Sequence, residues 1–296
     1  MTARTRGSPA EILPTEILPA DLPHDLQDRI RAAALEAGAL ALRWFRPGER
    51  TAARVWTKAK SSPVTEADVE ADAFLRRRLA VPGENFGWLS EETVDSPERL
   101  TRRLVFVVDP IDGTRGFLEG DPRWCVSIAV VADGVPVAAV VHAPALALTH
   151  EATLEGPALL NGAPIRASAV ASLSNARIAG PRFMLDALSG SGAGILAMGK
   201  IPSLAHRLCK VADGSLDAAL ASKDANDWDI AAAHLILERA GGKIGDFDAL
   251  VPRYNRETTL HDRLLASPAC GFESMLAQVR RGIGLPGTAR TASERF

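Results

Sequence analysis

The sequence predicts a mixed protein: an antiparallel α+β first half followed by an α/β second half. Three observations carry this. Leu104-Val105-Phe106-Val107-Val108 is a short, β-branched apolar run of the length of a fully buried strand. Trp124, Val126, Ile128 and Val130 alternate, and Asp133-Gly134 turns the chain back through Val135, Val137, Ala139 and Val141, the pattern of an antiparallel hairpin. Ile230, Ala233, Leu237 and Ala240 keep helical spacing, and the paired Gly241-Gly242 stops that helix.

The elements follow in order. A helix is expected over about Leu22 to Phe45, ending before Pro47-Gly48. Thr65-Glu66-Ala67-Asp68 reads as a capping box opening a helix that buries Ala71, Phe74, Leu75 and Leu79. The turn Pro82-Gly83-Glu84-Asn85 leads into the extended Trp88-Leu89-Ser90-Glu91-Glu92. After the strand at 104–108 and the hairpin, a second strand pair turns near Asn161-Gly162. A Gly/Ser-rich loop from Ser189 to Gly194 precedes a helix from Ser203 to Gly214, and then comes the helix at Trp228-Asp229. This divides the chain into an α+β domain at 23–165 and an α/β domain at 166–281. Tails at 1–22 and 282–296 flank them. The first tail carries a tandem Glu-Ile-Leu-Pro, at 11–14 and 16–19, which is either a flexible extension or a short partner-binding motif.

Composition sets the class. At 296 residues, 47% hydrophobic and 24% charged, the chain is an ordinary soluble globular protein. A net charge of −2 gives no drive toward nucleic acid or anionic membrane. No apolar run spans a bilayer and the opening lacks a signal-peptide core. Cys125, Cys209 and Cys270 have no zinc or redox spacing, which fits packing roles in a reducing cytoplasm.

The chemistry concentrates at Asp109-Pro110-Ile111-Asp112-Gly113-Thr114. Asp109 is expected at the mouth of the strand and Asp112 one turn later. Two hard carboxylates this close suit Mg²⁺. Gly113 lets backbone N–H groups approach an anion, and the Thr114 hydroxyl can hold a water or a phosphate oxygen. The alternative is a surface turn rich in Asp and Gly. Glu91 and Glu92 point opposite ways on an extended chain, so one can face a metal while the other supports it from behind. Asp229 is expected at its helix N-terminus, where an ordinary N-cap is the competing reading.

Together these segments resemble the inositol monophosphatase family, which carries a Glu-Glu segment, Asp-Pro-(Ile/Leu)-Asp-Gly-Thr and Trp-Asp-x-Ala-Ala in this order. The resemblance covers roughly Leu26 to Met275. It implies a layered αβαβα sandwich with the site between the halves, and a lithium-sensitive, Mg²⁺-dependent phosphatase. It implies metal ligands at Glu91, Asp109, the Ile111 carbonyl, Asp112 and Asp229. Lys60-Ser61-Ser62-Pro63-Val64-Thr65-Glu66-Ala67-Asp68 matches an early family segment. There it implies that Asp68 and Thr114 orient the attacking water, with Glu92 among the catalytic residues. Asp68 can serve the capping box as well. Gly113, Thr114 and Ser203 are implied to contact substrate, and homodimerisation is a family expectation.

No Ser/His/Asp or Cys/His arrangement is visible, so direct attack by water is expected rather than a phosphoenzyme. Ser90 replaces the usual Gly before the Glu pair, and Ala233 a frequent Gly in the Trp-Asp helix. Ser222 falls where inositol phosphatases place a Glu for the inositol hydroxyls. Arg115 after Thr114 looks more like bacterial 3'(2'),5'-bisphosphate nucleotidases. Arg115, with Arg182 and Lys223, could hold a second phosphate, or each could be a solvated surface charge. The leading expectation is hydrolysis of 3'-phosphoadenosine 5'-phosphate. Inositol-1-phosphatase is the near alternative, and a non-catalytic ion- or ligand-binding protein the one from another class.

Overall fold

A computed structural model describes residues 22–57 and 63–285. The Glu-Ile-Leu-Pro tandem, Lys60-Ser61-Ser62 and the chain after Leu285 lie outside the described residues. The first half opens with α1 (Leu26–Leu42), the short pair β1 (Val55–Thr57) and β2 (Pro63–Thr65), and α2 (Glu66–Leu79). Next come β3 (Phe86–Ser90), β4 (Leu104–Asp112), the short α3 (Thr114–Leu118), β5 (Cys125–Ala132) and β6 (Val135–Ala143). β7 (Leu148–Thr153), β8 (Leu159–Leu160) and β9 (Ala163–Pro164) complete a seven-stranded sheet ordered β3-β4-β5-β6-β7-β8-β9. The second half contains β10 (Arg177–Ala179), α4 (Arg182–Gly190), β11 (Leu196–Ala197), α5 (Leu204–Ala212) and β12 (Ala218–Ala221). It continues through β13 (Ala225–Asn226), α6 (Asp227–Arg239), β14 (Gly242–Asp246), β15 (Leu260–His261), β16 (Leu264–Pro268) and α7 (Phe272–Gly282). Its five-stranded sheet is ordered β11-β10-β12-β16-β14.

The layering follows from which faces are apolar. Along β4, Phe106 and Val108 pack with α1 and α2, while Val105 and Val107 pack with α5 and α6. Both faces of the strand are therefore dry, which is why the sequence there is continuously apolar rather than alternating. Along β12, Ala219 and Ala221 join the α5/α6 layer, whereas Ala218 and Leu220 face α4 and α7. The result is α1/α2, seven-stranded sheet, α5/α6, five-stranded sheet, α4/α7: the expected αβαβα sandwich. α6 is caught between two sheets, so Ala231, Ala232, Leu235 and Ile236 are buried along with the periodic Ile230, Ala233 and Leu237.

Five local expectations change. The first helix spans Leu26–Leu42 rather than 22–45, because the Pro23 carbonyl accepts the Leu26 N–H in a tight turn ahead of it. The first half is not wholly antiparallel: β3 runs parallel to β4. In the second half only β11-β10-β12 is parallel, and β16 inserts antiparallel between β12 and β14. Ser189 and Gly190 belong to the last turn of α4, whose Met184, Leu185 and Leu188 are buried, and not to a loop. Gly282 closes α7, and Ile283 and Leu285 pack on the core behind it, so these three residues do not belong to a tail.

Candidate active site

The site forms where three chain segments meet at the end of β4. Opposite β5, Asp109 pairs with Ser127 and Asp112 with Cys125, with a register shift between the two pairs. Asp112 is therefore still in the strand, not in a turn beyond it. A bulge, in which Pro110 and Ile111 face no partner of their own, brings both carboxylates toward one side. Ile111 anchors the bulge: its N–H donates to Asp109 Oδ1 at 3.0 Å and its side chain packs with Phe45, Phe117 and Trp124. Gly113 then turns with φ 93°. A Cβ there would stand 2.9 Å from the Ser203 nitrogen, so glycine is required by both conformation and proximity.

The second segment is the start of α5. Ser203 is its N-cap, accepting the His206 N–H at 2.9 Å and donating its hydroxyl to Asp112 Oδ2 at 2.6 Å. The N–H groups of Leu204 (3.2 Å, to Oδ1) and Ala205 (2.6 Å, to Oδ2) also point at Asp112. Ser203 is fully buried and does not line the cleft, so its expected contact with substrate gives way to a role behind Asp112.

The third is α6. Asp229 is not its N-cap; Asn226 is, and Asp229 stands three residues later in a capping box, accepting the Asn226 N–H at 2.6 Å. Asp109, Asp112 and Asp229 each bring an oxygen within 4.8 Å of the others. Glu91 joins them along the cleft, just past the end of β3, where its N–H donates to the Val108 carbonyl at 3.2 Å. Ser90, which replaces the usual glycine, donates its hydroxyl to Asp72 of α2 and accepts the Glu92 N–H at 3.4 Å, fixing the bend that carries the Glu pair.

The electrostatics follow from burial. It pushes Asp109 and Asp229 well up from the usual carboxylate range; Glu91 and Asp112 add repulsion to both. Burial raises Asp112 as well, opposed by Ser203, the Ala205 and Leu204 N–H groups and the nearby Arg207. Three desolvated carboxylates this close need protons or a cation, and oxygen-only donors suit a hard divalent ion. Asp68 lies to one side, buried at the start of α2. Its Oδ2 completes the capping box with Thr65, and its Oδ1 accepts the Thr114 hydroxyl at 3.2 Å. Burial and the Glu92 charge raise Asp68 to about 6 against the Thr65 hydrogen bond. Thr114 Oγ1 also lies 3.1 Å from the Ile111 carbonyl.

The cleft, about 270 Å³, is lined by Glu91, Asp109, Asp112, Gly113, Thr114, Arg115, Lys200 and Asp229, with Pro63 and Pro202 at its edges. Arg115 is exposed at the rim. Arg182 and Lys223 are absent from the lining. Arg182 starts α4 with its side chain 89% exposed and paired to Asp186, and Lys223 lies in the exposed turn after β12.

A family model described as "Inositol monophosphatase family" matches residues 24–283. The chain belongs to the inositol monophosphatase family. Similar members include a histidinol-phosphatase of Chlorobaculum parvum, 34% identical over 75% of this chain and 86% of that relative. An inositol-1-monophosphatase of Rhizobium meliloti is 32% identical over 71% of this chain and 81% of its own length. Among solved structures, the IMPase of Thermotoga maritima superposes with a TM-score of 0.76 at 26% identity, covering 88% of this chain and 98% of that one. With its buried acidic triad, this family member is a metal-dependent phosphatase.

Two cations were not singled out from the sequence. Lys200 was legible only as a residue of the loop before Ser203, and Arg207 only as part of the following helix. Neither carries a local signal, because each acquires its place when the N-terminus of α5 meets Asp112.

Proposed function

We propose that this chain hydrolyses small phosphomonoesters that carry a second anionic group, with Mg²⁺ as cofactor and 3'-phosphoadenosine 5'-phosphate as leading substrate. One observation carries the reading: Arg115 and Lys200 line the same cleft as Glu91, Asp109, Asp112 and Asp229. A substrate placed there meets acid where a divalent ion would sit and base at the edge. Asp109, Asp112 and Asp229 would hold the ion, with Glu91 and the Ile111 carbonyl as further ligands. Mg²⁺, when bound, supplies Lewis acidity to the phosphoryl oxygens and acidifies the attacking water.

The chain's own groups do the rest. Thr114 Oγ1, held against Asp68 and the Ile111 carbonyl, orients the water, and Asp68 takes its proton. Raised to about 6, Asp68 is ionised at neutral pH and still basic enough to serve. Glu92, whose charge helps raise Asp68, keeps it in that range. Gly113 leaves the main chain open to the phosphate. A cytoplasmic location, a homodimer and inhibition by Li⁺ belong to the same reading; all three cysteines are free thiols.

The relatives named histidinol-phosphatase favour a second reading, in which the substrate is an amino-alcohol phosphate. Its ammonium would meet Arg115 and Lys200 as like charges, which ranks it below an anionic substrate. Inositol 1-phosphate would leave both cations unused. A phosphate-release screen with and without Mg²⁺ decides among the three. Fastest turnover of the bisphosphate, lost in chelator, is the expected result; preference for histidinol phosphate or inositol 1-phosphate would replace it.

A further inference from the structure

We propose that Asp72 is a positioning residue for the metal ligand Glu91, acting through the hydroxyls of Ser90 and Thr93 on either side of the Glu pair. The inference rests on the reading of Glu91 as a ligand given above, and adds to it the group that aims that ligand. It starts from topology. β3 runs parallel to β4 with Ser90 opposite Val108, so the chain leaves β3 beside Asp109 and not at the far end of the sheet. The strand register ends at Ser90, and Glu91 to Thr93 follow as a bend. The Glu91 N–H still donates to the Val108 carbonyl at 3.2 Å, and of the pair it is Glu91 that lines the cleft.

Asp72 takes hold where the ladder stops. It is buried on α2, and each of its oxygens accepts one hydroxyl: Oδ1 that of Ser90, and Oδ2 that of Thr93 at 2.7 Å. One carboxylate thus ties down both ends of the segment that carries the Glu pair. Trp88 of β3 adds a further tie, its indole N–H donating to Thr93 Oγ1 at 3.3 Å, and Ser90 Oγ accepts the Glu92 N–H at 3.4 Å. The anchor is itself packed, because Leu75 and Leu79 of the same helix share a cluster with Phe106 and Val108 of β4. Asp68 and Asp72, four residues apart, share one face of α2. Asp68 meets Thr114 beyond β4, and Asp72 meets the bend beyond β3. The glycine usual at position 90 in the family could not make the Oδ1 bond, so the clamp uses a residue in which this chain departs from the pattern. Mg²⁺ demands near-octahedral geometry, and a ligand on an unheld bend would have to be ordered as the ion binds.

The competing account is that Asp72 only satisfies two hydroxyls and stabilises the fold. Calorimetric titration of Mg²⁺ into the metal-free protein separates the two. Asp72→Ala should weaken Mg²⁺ about tenfold, the lower end of what groups behind a ligand contribute, with phosphate release restored to within about threefold at saturating Mg²⁺. Ser90→Gly should weaken it by about threefold. Asp72→Asn keeps a carbonyl for one of the hydroxyls; it should fall between wild type and Asp72→Ala, and carries the test if the alanine variant does not fold. In a Glu91→Gln background Asp72→Ala should add less than about twofold, since the two residues act as one unit. Unchanged Mg²⁺ affinity in Asp72→Ala, with only a lower Tm in chelator, would overturn the proposal and leave Glu91 as a ligand. An equal loss in both backgrounds would overturn it as well. If Glu91→Gln itself binds Mg²⁺ like wild type, Glu91 is no ligand and both readings fall.

Discussion

The floor and the rim of the cleft are built on opposite principles. Asp109, Asp112 and Asp229 sit on a strand and a helix between packed layers, and each accepts at least one main-chain N–H. Arg115, by contrast, is exposed at the rim, and Arg182, on the surface beyond the cleft lining, pairs among the described residues only with a neighbour on its own helix. The floor is held by these main-chain bonds, and its charges act in a medium that screens them little. The rim acts through water and salt. In the function proposed above, chemistry is fixed by the fold and discrimination among phosphate esters falls to a few side chains.

The largest effect should come from the floor. Asp109→Asn should lower turnover about a thousandfold, since losing one ligand forfeits several kcal/mol of charge stabilisation in the transition state. Phosphate release and circular dichroism, read together, check it; near-normal turnover would remove Asp109 from the machinery. Asp112→Asn is a less clean test. Asp112 accepts two N–H groups and a hydroxyl, so an amide there turns its own donor toward one of them and loosens α5 as well.

Next in size is the stability of the metal-free protein. Asp68 is raised from 3.8 to about 6, and Asp109, Asp112 and Asp229 are raised as well. An acid with a raised folded pKa stabilises the fold below its unfolded pKa, and this contribution is lost as pH rises through the folded value. In chelator, raising pH from 4 to 7 should therefore cost the wild type on the order of 3 kcal/mol more than Asp68→Asn, a comparison that cancels the opposite contribution of His142, His206 and His234, whose pKa burial lowers to about 4. Mg²⁺ should reverse the loss, by ~2.7 kcal/mol at a hundredfold excess over Kd. Calorimetry in which the two proteins change Tm in parallel between pH 4 and pH 7 would show that the Asp68 charge does not destabilise the fold.

The rim effects are smaller. Arg115→Ala should raise KM for the bisphosphate by about tenfold, the lower end of a charged hydrogen bond worth ~1.5 kcal/mol, because the side chain is exposed. Steady-state kinetics at two salt concentrations sharpen this, since a screened contact should weaken as salt rises. Arg182→Ala should change KM less than roughly twofold, as expected of a surface ion pair. A tenfold change would bring α4 into the substrate site and erase the contrast drawn above.

Much of the fold was readable because its signals are local. The β5–β6 hairpin turns at Asp133, whose φ is 48°, and the α2 capping box forms as written. Apolar periodicity placed α6. α4 escaped because its turn-forming Ser189 and Gly190 masked three buried residues. The parallel β3–β4 pair escaped because strand direction depends on how the intervening chain crosses, which no residue in either strand records.

By itself the sequence determined the chemical inventory of the site: Glu91, Asp109, Asp112, Thr114 and Asp229, and through them the phosphatase family. Those residues carry local constraints that spacing can express, such as a glycine at φ 93° and an acid three residues past a cap. Tertiary structure alone decided what surrounds them. Ser203 became a buried prop for Asp112, and Lys200 came to line the cleft. The physical reason is distance along the chain: Ser203 reaches Asp112 across 91 residues, and such a meeting is set by how layers pack, not by any pattern in either segment.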